Sequence, residues 1–132
     1  MEFRVHKHSK AEFYPIFCKW CIQHSFPVIN DGWLPENCFV CSIDGMQIYC
    51  LWFWHTDSKL CMIGFPASNK NVNYKKRNGG LEYLLEYVNK YAKRKKYTGI
   101  FTNSGTEIII DSLLKLGYIE TDLNVKQLIK NI

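Results

Sequence analysis

Two adjacent glycines, Gly79 and Gly80, stand at the start of a helical pattern and follow three cations, Lys75, Lys76 and Arg77. Glycine has no Cβ, so a ligand can approach its backbone closely. The first turn of a helix leaves backbone N–H groups without partners and carries the positive end of the helix dipole. Together these features favour an anion, above all a phosphate or pyrophosphate. The alternative is a glycine turn that leads into a helix on a solvated basic surface.

The charge of the chain is concentrated around these glycines. The 17 Lys and Arg residues exceed the 12 Asp and Glu residues, for a net charge of +5. The segment Lys70–Lys96 alone holds nine cations against Glu82 and Glu86, about +7, so the remainder is slightly acidic. Such an uneven distribution indicates a partner that carries phosphates, a nucleic acid or an acidic protein surface.

Composition indicates one folded domain, residues 1–132. Hydrophobic residues make up 47% of the chain and aromatic residues 15%, which is typical of a globular protein. Charged residues interrupt the start of the chain, and no apolar run reaches the roughly 18–20 residues of a membrane span. The six cysteines lie between Cys18 and Cys61. We therefore expect reduced thiols, a cytoplasmic location and no membrane contact.

The elements that would position the glycines form an α+β arrangement of sheet and helices. The predicted strands are Glu2–His6, Cys38–Ile43, Met46–Thr56, Lys59–Ala67, Gly99–Asn103, Tyr118–Thr121 and Val125–Ile129. The predicted helices are residues 10–24, Gly80–Lys96 and a third that follows Ser104 and ends at Gly117. The order is β-α-loop-β-β-β-α-β-α-β-β, and the sheet is expected to be flanked by helices.

Short motifs set the predicted boundaries of these elements. Ser9 is the expected N-cap of the first helix, and Asp44-Gly45 is the strongest hairpin signal. The pattern Ser104-Gly105-Thr106-Glu107 has the spacing of a capping box, and Gly117 suits a left-handed C-cap. The third strand is apolar on both faces, with Met46, Ile48, Cys50, Trp52 and Trp54 expected on one and Tyr49, Leu51 and Phe53 on the other. That pattern predicts a central strand that is covered on both sides.

The element order and three motifs resemble the GNAT superfamily, the general N-acetyltransferase fold. Arg77-Asn78-Gly79-Gly80-Leu81-Glu82 is similar to the family's R/Q-x-x-G-x-G/A loop, and Leu116-Gly117-Tyr118 to its terminal Gly-Phe-like pair. The turn Thr56-Asp57-Ser58, the hairpin and Ser68-Asn69 resemble small GNAT-like proteins of bacteriophages. The resemblance implies a mixed, mostly antiparallel central sheet of six to seven strands. For a viral protein it implies the host cytoplasm.

The resemblance also implies acetyl-coenzyme A as the acyl donor and a primary amine of a small molecule or protein as the acceptor. The pyrophosphate would lie on the segment from Arg77 through Asn78, Gly79 and Gly80 to Leu81, with Lys75 and Lys76 as added cations. The pantetheine arm would run along Phe65, Ala67 and Ser68, and Asn103 would hydrogen-bond it or hold the turn. The acceptor would enter through a pocket walled by Trp33 and the loop Phe26–Asn37, with Trp20 as a further wall residue.

The chain departs from the family's pattern at its catalytic positions. Glu82 stands where the loop has a second small residue, Leu113 stands where a tyrosine acid is frequent, and Lys59–Ser68 contains no carboxylate base. His55, Ser112 and Tyr118 remain as candidate catalytic groups. Positioning and a route for the proton can suffice for acetyl transfer to an amine.

Two other interpretations stay open. The first is a catalytically inactive GNAT-fold binding module that contacts a host protein or nucleic acid through Lys70–Lys96. The second is a zinc-binding nucleic-acid protein, because Cys18, Cys21, Cys38 and Cys41 have the spacing C-x₂-C-x₁₆-C-x₂-C. We expect no metal there, since Cys38 and Cys41 would point to opposite faces of a strand.

Overall fold

The computed structural model describes residues 2–132 and contains one five-stranded sheet in the order β1-β2-β3-β4-β5. Neighbours are antiparallel from β1 to β4, and β4 pairs with β5 in parallel. The strands are β1 Phe3–Ser9, β2 Asn37–Ile43, β3 Met46–Trp54, β4 Leu60–Ser68 and β5 Gly99–Phe101. The predicted α+β class and mostly antiparallel sheet are therefore confirmed, and β3 is the central strand.

Helices cover both faces of this sheet. They are α1 Lys10–Gln23, α2 Tyr74–Arg77, α3 Gly80–Arg94 and α4 Glu107–Lys115, with a 3₁₀ turn at Asp31–Trp33. Phe13, Phe17 and Trp20 of α1 pack on Val40 and Trp52 on one face. On the other face, α3 and α4 contribute Leu84, Val88 and Leu113 against Phe39 and Phe53. None of the helices that the structure describes is long and apolar enough to cross a membrane.

Local sequence rules account for the ends of several elements. Ser9 caps α1 in a capping box, because its hydroxyl accepts from Glu12 N at 3.2 Å while its own N–H donates to the Glu12 carboxylate at 3.0 Å. Asp44 and Gly45 both have positive φ, 50° and 77°, as the predicted two-residue hairpin turn requires. Gly117 has φ 94° and follows α4 as the predicted left-handed C-cap.

A β-bulge in β3 corrects the predicted division of its faces. Cys41 pairs with Tyr49 but Ser42 pairs with Gln47, so Ile48 is an extra residue in the ladder. One extra residue shifts every side chain that follows to the other face. Ile48 and Met46 therefore pack with Leu51 and Phe53 under α3, whereas they were expected beside Cys50 and Trp52.

The parallel pairing of β4 and β5 is short. The ladder runs from Leu60–Gly99 to Met62–Phe101, and the Thr102 hydroxyl then donates to Ile63 O at 2.9 Å. Beyond that bond β4 continues to Ser68, so a gap opens between the carboxyl ends of the two strands. A second bulge, between the pairs Trp52–Gly64 and Cys50–Ala67, bends β4 beside the gap.

Four predictions for the second half of the chain are wrong. Residues 118–129 form no strand, so the sheet has five strands and not six or seven, and β5 ends at Phe101 instead of Asn103. The capping box at Ser104 does not form, because Thr106 is the N-cap of α4 and the Ser104 hydroxyl accepts from Thr106 N. The segment 68–79, for which no helix was predicted, contains α2, which Asn73 caps through Lys75 N.

Candidate active site

The first turn of α3 lies at the end of the sheet where β4 ends and is built from the two glycines. Gly79 is the N-cap with φ 87°, a left-handed conformation that strains other residues. It has no side chain that could satisfy the first N–H groups of the helix. Gly80 lies against β3 so closely that a Cβ would come within 2.7 Å of Ile48 Cδ1. Both glycines are thus required by the backbone and the packing, and the amides they leave free can accept an anion.

The three cations before the glycines differ in what they contact. Lys75 is exposed, and Lys76 Nζ lies 3.6 Å from the Asp44 carboxylate. Arg77 donates from Nε to Val72 O at 2.9 Å, and its guanidinium lies 5.8 Å from the ring centres of Tyr49 and Tyr74. Arg77 therefore braces the loop, and Lys75 is the cation most available to a ligand.

Glu82, the acidic residue in this turn, is held by α4. The Ser112 hydroxyl donates to Glu82 Oε1 at 3.0 Å, and Ser112 is only 5% exposed. A carboxylate in the first turn is favoured by the helix dipole but would repel a phosphate bound at the same amides. The hydroxyl of Ser112, one of the candidate catalytic groups, is therefore engaged with the Glu82 carboxylate.

The end of β4 is tied to the end of α1. His24 Nε2 lies 3.0 Å from Ser68 O and 2.9 Å from the Ser68 hydroxyl. Lys70 N donates to the Gln23 side chain at 3.0 Å, so the chain after β4 is anchored as well. Sequence reasoning named Ser68 but missed His24, because the two are 44 positions apart and no local pattern links them.

Phe65 and Ala67 occupy the bulged part of β4 beside the gap. Phe65 has φ 46°, which is uncommon for a residue with a bulky side chain. Its ring lies 5.9 Å from that of Trp54, so it forms part of a wall on the α1 side of the sheet. Ala67 is buried in the core under α1. Phe65 is thus the one of this pair that faces open space.

A cavity of about 830 Å³ lies against this wall and reaches the gap between β4 and β5. Its aromatic lining comes from Phe17, Phe26, Trp33, Trp54, Phe65 and Phe101. Thr102, Asn103 and Ser104, which follow β5, line it with polar groups. Trp33 and residues 26–29 of the loop Phe26–Asn37, which were expected to wall an acceptor pocket, line this cavity. Trp20 does not, because it is buried against Phe13 in the core.

His55 lies on the opposite face of the sheet from this cavity. Its Nδ1 is 3.0 Å from the Tyr97 hydroxyl and its Nε2 is 3.2 Å from the Tyr91 hydroxyl, near the end of α3. Tyr91 is eleven residues beyond Gly80, roughly 16 Å along the helix axis. His55, one of the three candidate catalytic groups, therefore contacts Tyr91 of α3 and Tyr97 far from the glycines.

Acid should destabilise the protein through His55. Burial lowers the pKa of His55 from its ordinary value of 6.5, and the cations Lys95 and Lys7 lower it further. Because the unfolded chain takes up a proton more readily, the stability contributed above pH 6.5 is lost as pH falls through the lower native pKa. We expect the melting temperature to fall more for wild type than for His55→Gln between pH 7 and pH 5. An equal fall in melting temperature for wild type and His55→Gln would contradict the assignment of this acid destabilisation to His55.

Tyr118 and Cys61 lie in the core on the α3 side of the sheet, where Cys61 pairs with Ile100 in the ladder of β4 and β5. Burial raises the pKa of Tyr118 to about 12, and its hydroxyl pairs with no other group in residues 2–132. Cys61 is fully buried, with its thiol 3.5 Å from Gly99 O, and burial raises its pKa as well. Neither group reaches the cavity, so Tyr118 and Cys61 belong to the packing between β4 and α4.

The four cysteines of the zinc interpretation do not converge. Cys38 packs in the core under α1 and Cys41 in the core under α3. Their side chains therefore point to opposite faces of β2, and four thiolates cannot meet at one ion. All six cysteines are free thiols.

Comparison with known proteins supports the fold through structure and not through sequence. No protein-family model matches the chain, and no curated protein matches it in sequence. An aminoglycoside acetyltransferase from an uncultured soil metagenomic sample has a TM-score of 0.69 at 17% identity, over 98% of this chain and 100% of that one. A second such enzyme, in complex with sisomicin, has a TM-score of 0.66 at 13% identity over 97% of each chain.

The ribosomal-protein-S18-alanine N-acetyltransferase of Escherichia coli has a TM-score of 0.72 at 13% identity. That match covers 92% of this chain and 80% of the other. At these identities the likeness is one of architecture, since substrates differ widely on one fold. The chain has the fold of the GNAT acetyltransferases.

Proposed function

We propose that the protein is an acetyl-coenzyme A-dependent N-acetyltransferase. The observation that carries the proposal is the gap between β4 and β5, which opens after Met62 and Phe101 beside a large cavity. The first turn of α3 starts at the same end of the sheet. An anion site, a gap and a cavity in this order suit a long substrate with a phosphate at one end and a reactive group at the other.

The residues present fit the pyrophosphate of coenzyme A. Gly79 leaves the first amides of α3 free, Lys75 adds an exposed positive charge, and Ser112 holds the Glu82 carboxylate. These groups supply backbone donors, a dipole and a cation for a doubly charged ligand. Arg77 adds charge while it braces the loop.

The arm of the donor would lie along β4. The ladder between β4 and β5 ends at Met62 and the Thr102 hydroxyl donates to Ile63 O, so backbone groups beyond Ile63 are open on that edge. Backbone donors at the Phe65 bulge would polarise a carbonyl placed there. When bound, acetyl-coenzyme A supplies an acetyl thioester whose carbonyl carbon an amine can attack, with the sulfur leaving as the thiol.

The groups that His55, Ser112 and Tyr118 provide are engaged elsewhere or buried outside the cavity. The proton of the acceptor amine would therefore pass to water through the open side of the cavity. Positioning of the amine, worth several powers of ten in rate, is the main contribution expected from this site.

Acetyl-coenzyme A should raise the melting temperature of the protein. At ten times the dissociation constant, binding to the native state contributes about 1.4 kcal/mol of stability. Lys75→Glu should weaken the affinity several-fold, because it reverses an exposed charge beside the phosphate site. Lys90→Glu makes the same change of net charge on the exposed middle of α3 and should leave the affinity as it is.

Release of free coenzyme A thiol in the presence of amines tests the chemistry itself. No thermal shift at millimolar acetyl-coenzyme A would overturn the proposal. A shift without thiol release from any amine would favour the inactive binding module. Metal analysis is a separate check, since retained zinc would contradict the positions of Cys38 and Cys41.

A further inference from the structure

We propose that the acceptor is a primary amine attached to an aromatic or other large apolar group, and that polycationic amines are poor acceptors. This inference rests on the proposed acetyl transfer and names the substrate class of the same cavity. Three properties of the cavity carry it: its aromatic walls, the exposure of those walls and the lack of charge among its lining residues.

The walls are aromatic on several sides. Phe17 of α1, Trp54 of β3 and Phe65 of β4 form one side, and Phe101 of β5 lies across the gap. Phe26 and Trp33, from the loop between α1 and β2, add two more aromatic rings to the lining. Aromatic rings pack on one another in offset or edge-to-face geometry, so such walls select a flat, apolar group.

Six large apolar side chains that line this cavity stay exposed to solvent, and Val28 (50%) and Ile129 (57%) are among them. Phe26, Trp33, Met62 and Phe101 are 48%, 42%, 40% and 45% exposed. Apolar surface that gathers around one concave site marks binding, whereas scattered apolar residues do not. An apolar ligand would remove this surface from water, and each contact would add to its affinity.

Carboxylates are missing from the cavity wall. Within residues 2–132, the lining contains no Asp, Glu, Lys or Arg. A polycationic amine would lose the hydration of several charges there and gain no partner for them. One amine can be accommodated, since Asn103, Ser104 and Thr106 offer hydrogen-bond acceptors at the end of β5.

The same lack of charge prepares the amine for reaction. A primary amine attacks only in its neutral form, and an apolar site disfavours the ammonium form. Desolvation therefore lowers the pKa of the bound amine, which reduces the need for a carboxylate base. This agrees with the chain, because β4 carries no acidic residue that could serve as one.

Turnover of three amines tests the inference directly. We expect kcat/KM for tryptamine, an aromatic monoamine, to exceed that for sisomicin or spermine at least tenfold. Equal or higher values for either polycation would overturn it. The assay is run with saturating acetyl-coenzyme A, so that differences report the acceptor.

Two substitutions test the role of the cavity wall. Trp33→Ala should raise KM for tryptamine about five- to tenfold, with kcat and the thermal shift by acetyl-coenzyme A little changed. Ile22→Ala, a change at a 67% exposed residue of α1 outside the cavity lining, should leave KM unchanged. Gln127→Glu adds one carboxylate to the lining and should reduce the ratio of kcat/KM for tryptamine to kcat/KM for spermine. An unchanged KM in Trp33→Ala would overturn the assignment.

Direct binding separates this inference from the proposed function. Isothermal titration calorimetry with tryptamine, in the absence of acetyl-coenzyme A, should show binding. Trp33→Ala should weaken that binding. Binding of tryptamine without acetyl-coenzyme A binding would support the apolar site and overturn the acetyl transfer. Binding of acetyl-coenzyme A with turnover of sisomicin but not tryptamine would support the acetyl transfer and overturn the apolar acceptor site.

Discussion

Gly80→Ala should destabilise the protein by about 1–3 kcal/mol, the usual cost of overfilling a packed interior. The new Cβ would lie 2.7 Å from Ile48 Cδ1 and 3.1 Å from Tyr49 Cδ2. Ile48 is fully buried, so it has little room to move. Alanine gains up to roughly 1 kcal/mol over glycine in a helix, and this gain is too small to offset the clash. Denaturant unfolding measures the net effect.

Gly105→Ala is the matched control, because a Cβ there meets nothing within 4 Å. Adding Ile48→Val removes the Cδ1 atom that the new methyl group would strike. The double variant Gly80→Ala with Ile48→Val should therefore be more stable than the sum of the two single effects predicts. Two results would show that α3 does not approach β3 this closely. One is strict additivity of the two single effects in the double variant, and the other is a Gly80→Ala variant as stable as Gly105→Ala.

Gly80→Ala should also weaken binding of acetyl-coenzyme A. A methyl group between α3 and β3 displaces the first turn of α3, which carries the amides proposed to bind the pyrophosphate. Loss of affinity in Gly80→Ala, partly restored by Ile48→Val, would link the packing of the helix to the site. The two glycines would then contribute to binding in two ways, because they let the first turn of α3 pack against β3 and they leave space for a ligand.

The features that could be predicted from sequence depend on neighbours in the chain. The turn at Asp44-Gly45, the N-cap Ser9 and the C-cap Gly117 each follow from backbone preferences within a few residues. The amphipathic pattern of α3 likewise places Leu84 and Val88 in the core. These local rules are sufficient to predict the order of the strands and long helices in the first hundred residues, but they missed the short helix α2.

The features that could not be predicted depend on pairing between distant segments. The bulge at Ile48 exists only in the ladder with β2, so an alternating pattern gave no sign of it. Tyr118–Thr121 and Val125–Ile129 have strand-like composition, yet a strand needs an edge, and β5 offers three residues. Ile119 is accordingly 84% exposed.

The residues of the candidate site also divide into those that could be predicted from their neighbours in the chain and those that depend on distant segments. Gly79, Gly80 and Lys75 could be named because the helix start and the cations are adjacent in the chain. His24 and Ser112 became informative only through partners 44 and 30 positions away, Ser68 and Glu82. His55 and Tyr118 were named for their chemistry, but His55 contacts Tyr91 and neither residue lines the cavity.

Ser112→Ala and Glu82→Gln should change the affinity for acetyl-coenzyme A in opposite directions. Glu82→Gln keeps an oxygen that can accept from Ser112 and removes the negative charge beside the free amides. We therefore expect tighter binding of the pyrophosphate, although the loss of a first-turn carboxylate costs about 0.3–1 kcal/mol of helix stability.

Ser112→Ala leaves the carboxylate without its donor. Hydrogen bonds to charged groups contribute about 1.5–3 kcal/mol, and the lower end applies here because Glu82 is half-buried. The freed carboxylate can turn toward the first amides of α3, where it competes with the ligand. We expect affinities in the order Glu82→Gln, wild type, Ser112→Ala, as measured by calorimetry.

A catalytic role for Ser112 predicts a different result. A hydroxyl that delivers a proton would lower kcat in Ser112→Ala and leave the affinity for acetyl-coenzyme A unchanged. Ser112→Thr, which keeps the donor, should retain wild-type affinity if the larger side chain is accommodated beside Leu113. Weaker binding with kcat preserved would make the Glu82–Ser112 hydrogen bond the device that lets a first-turn carboxylate coexist with a bound phosphate.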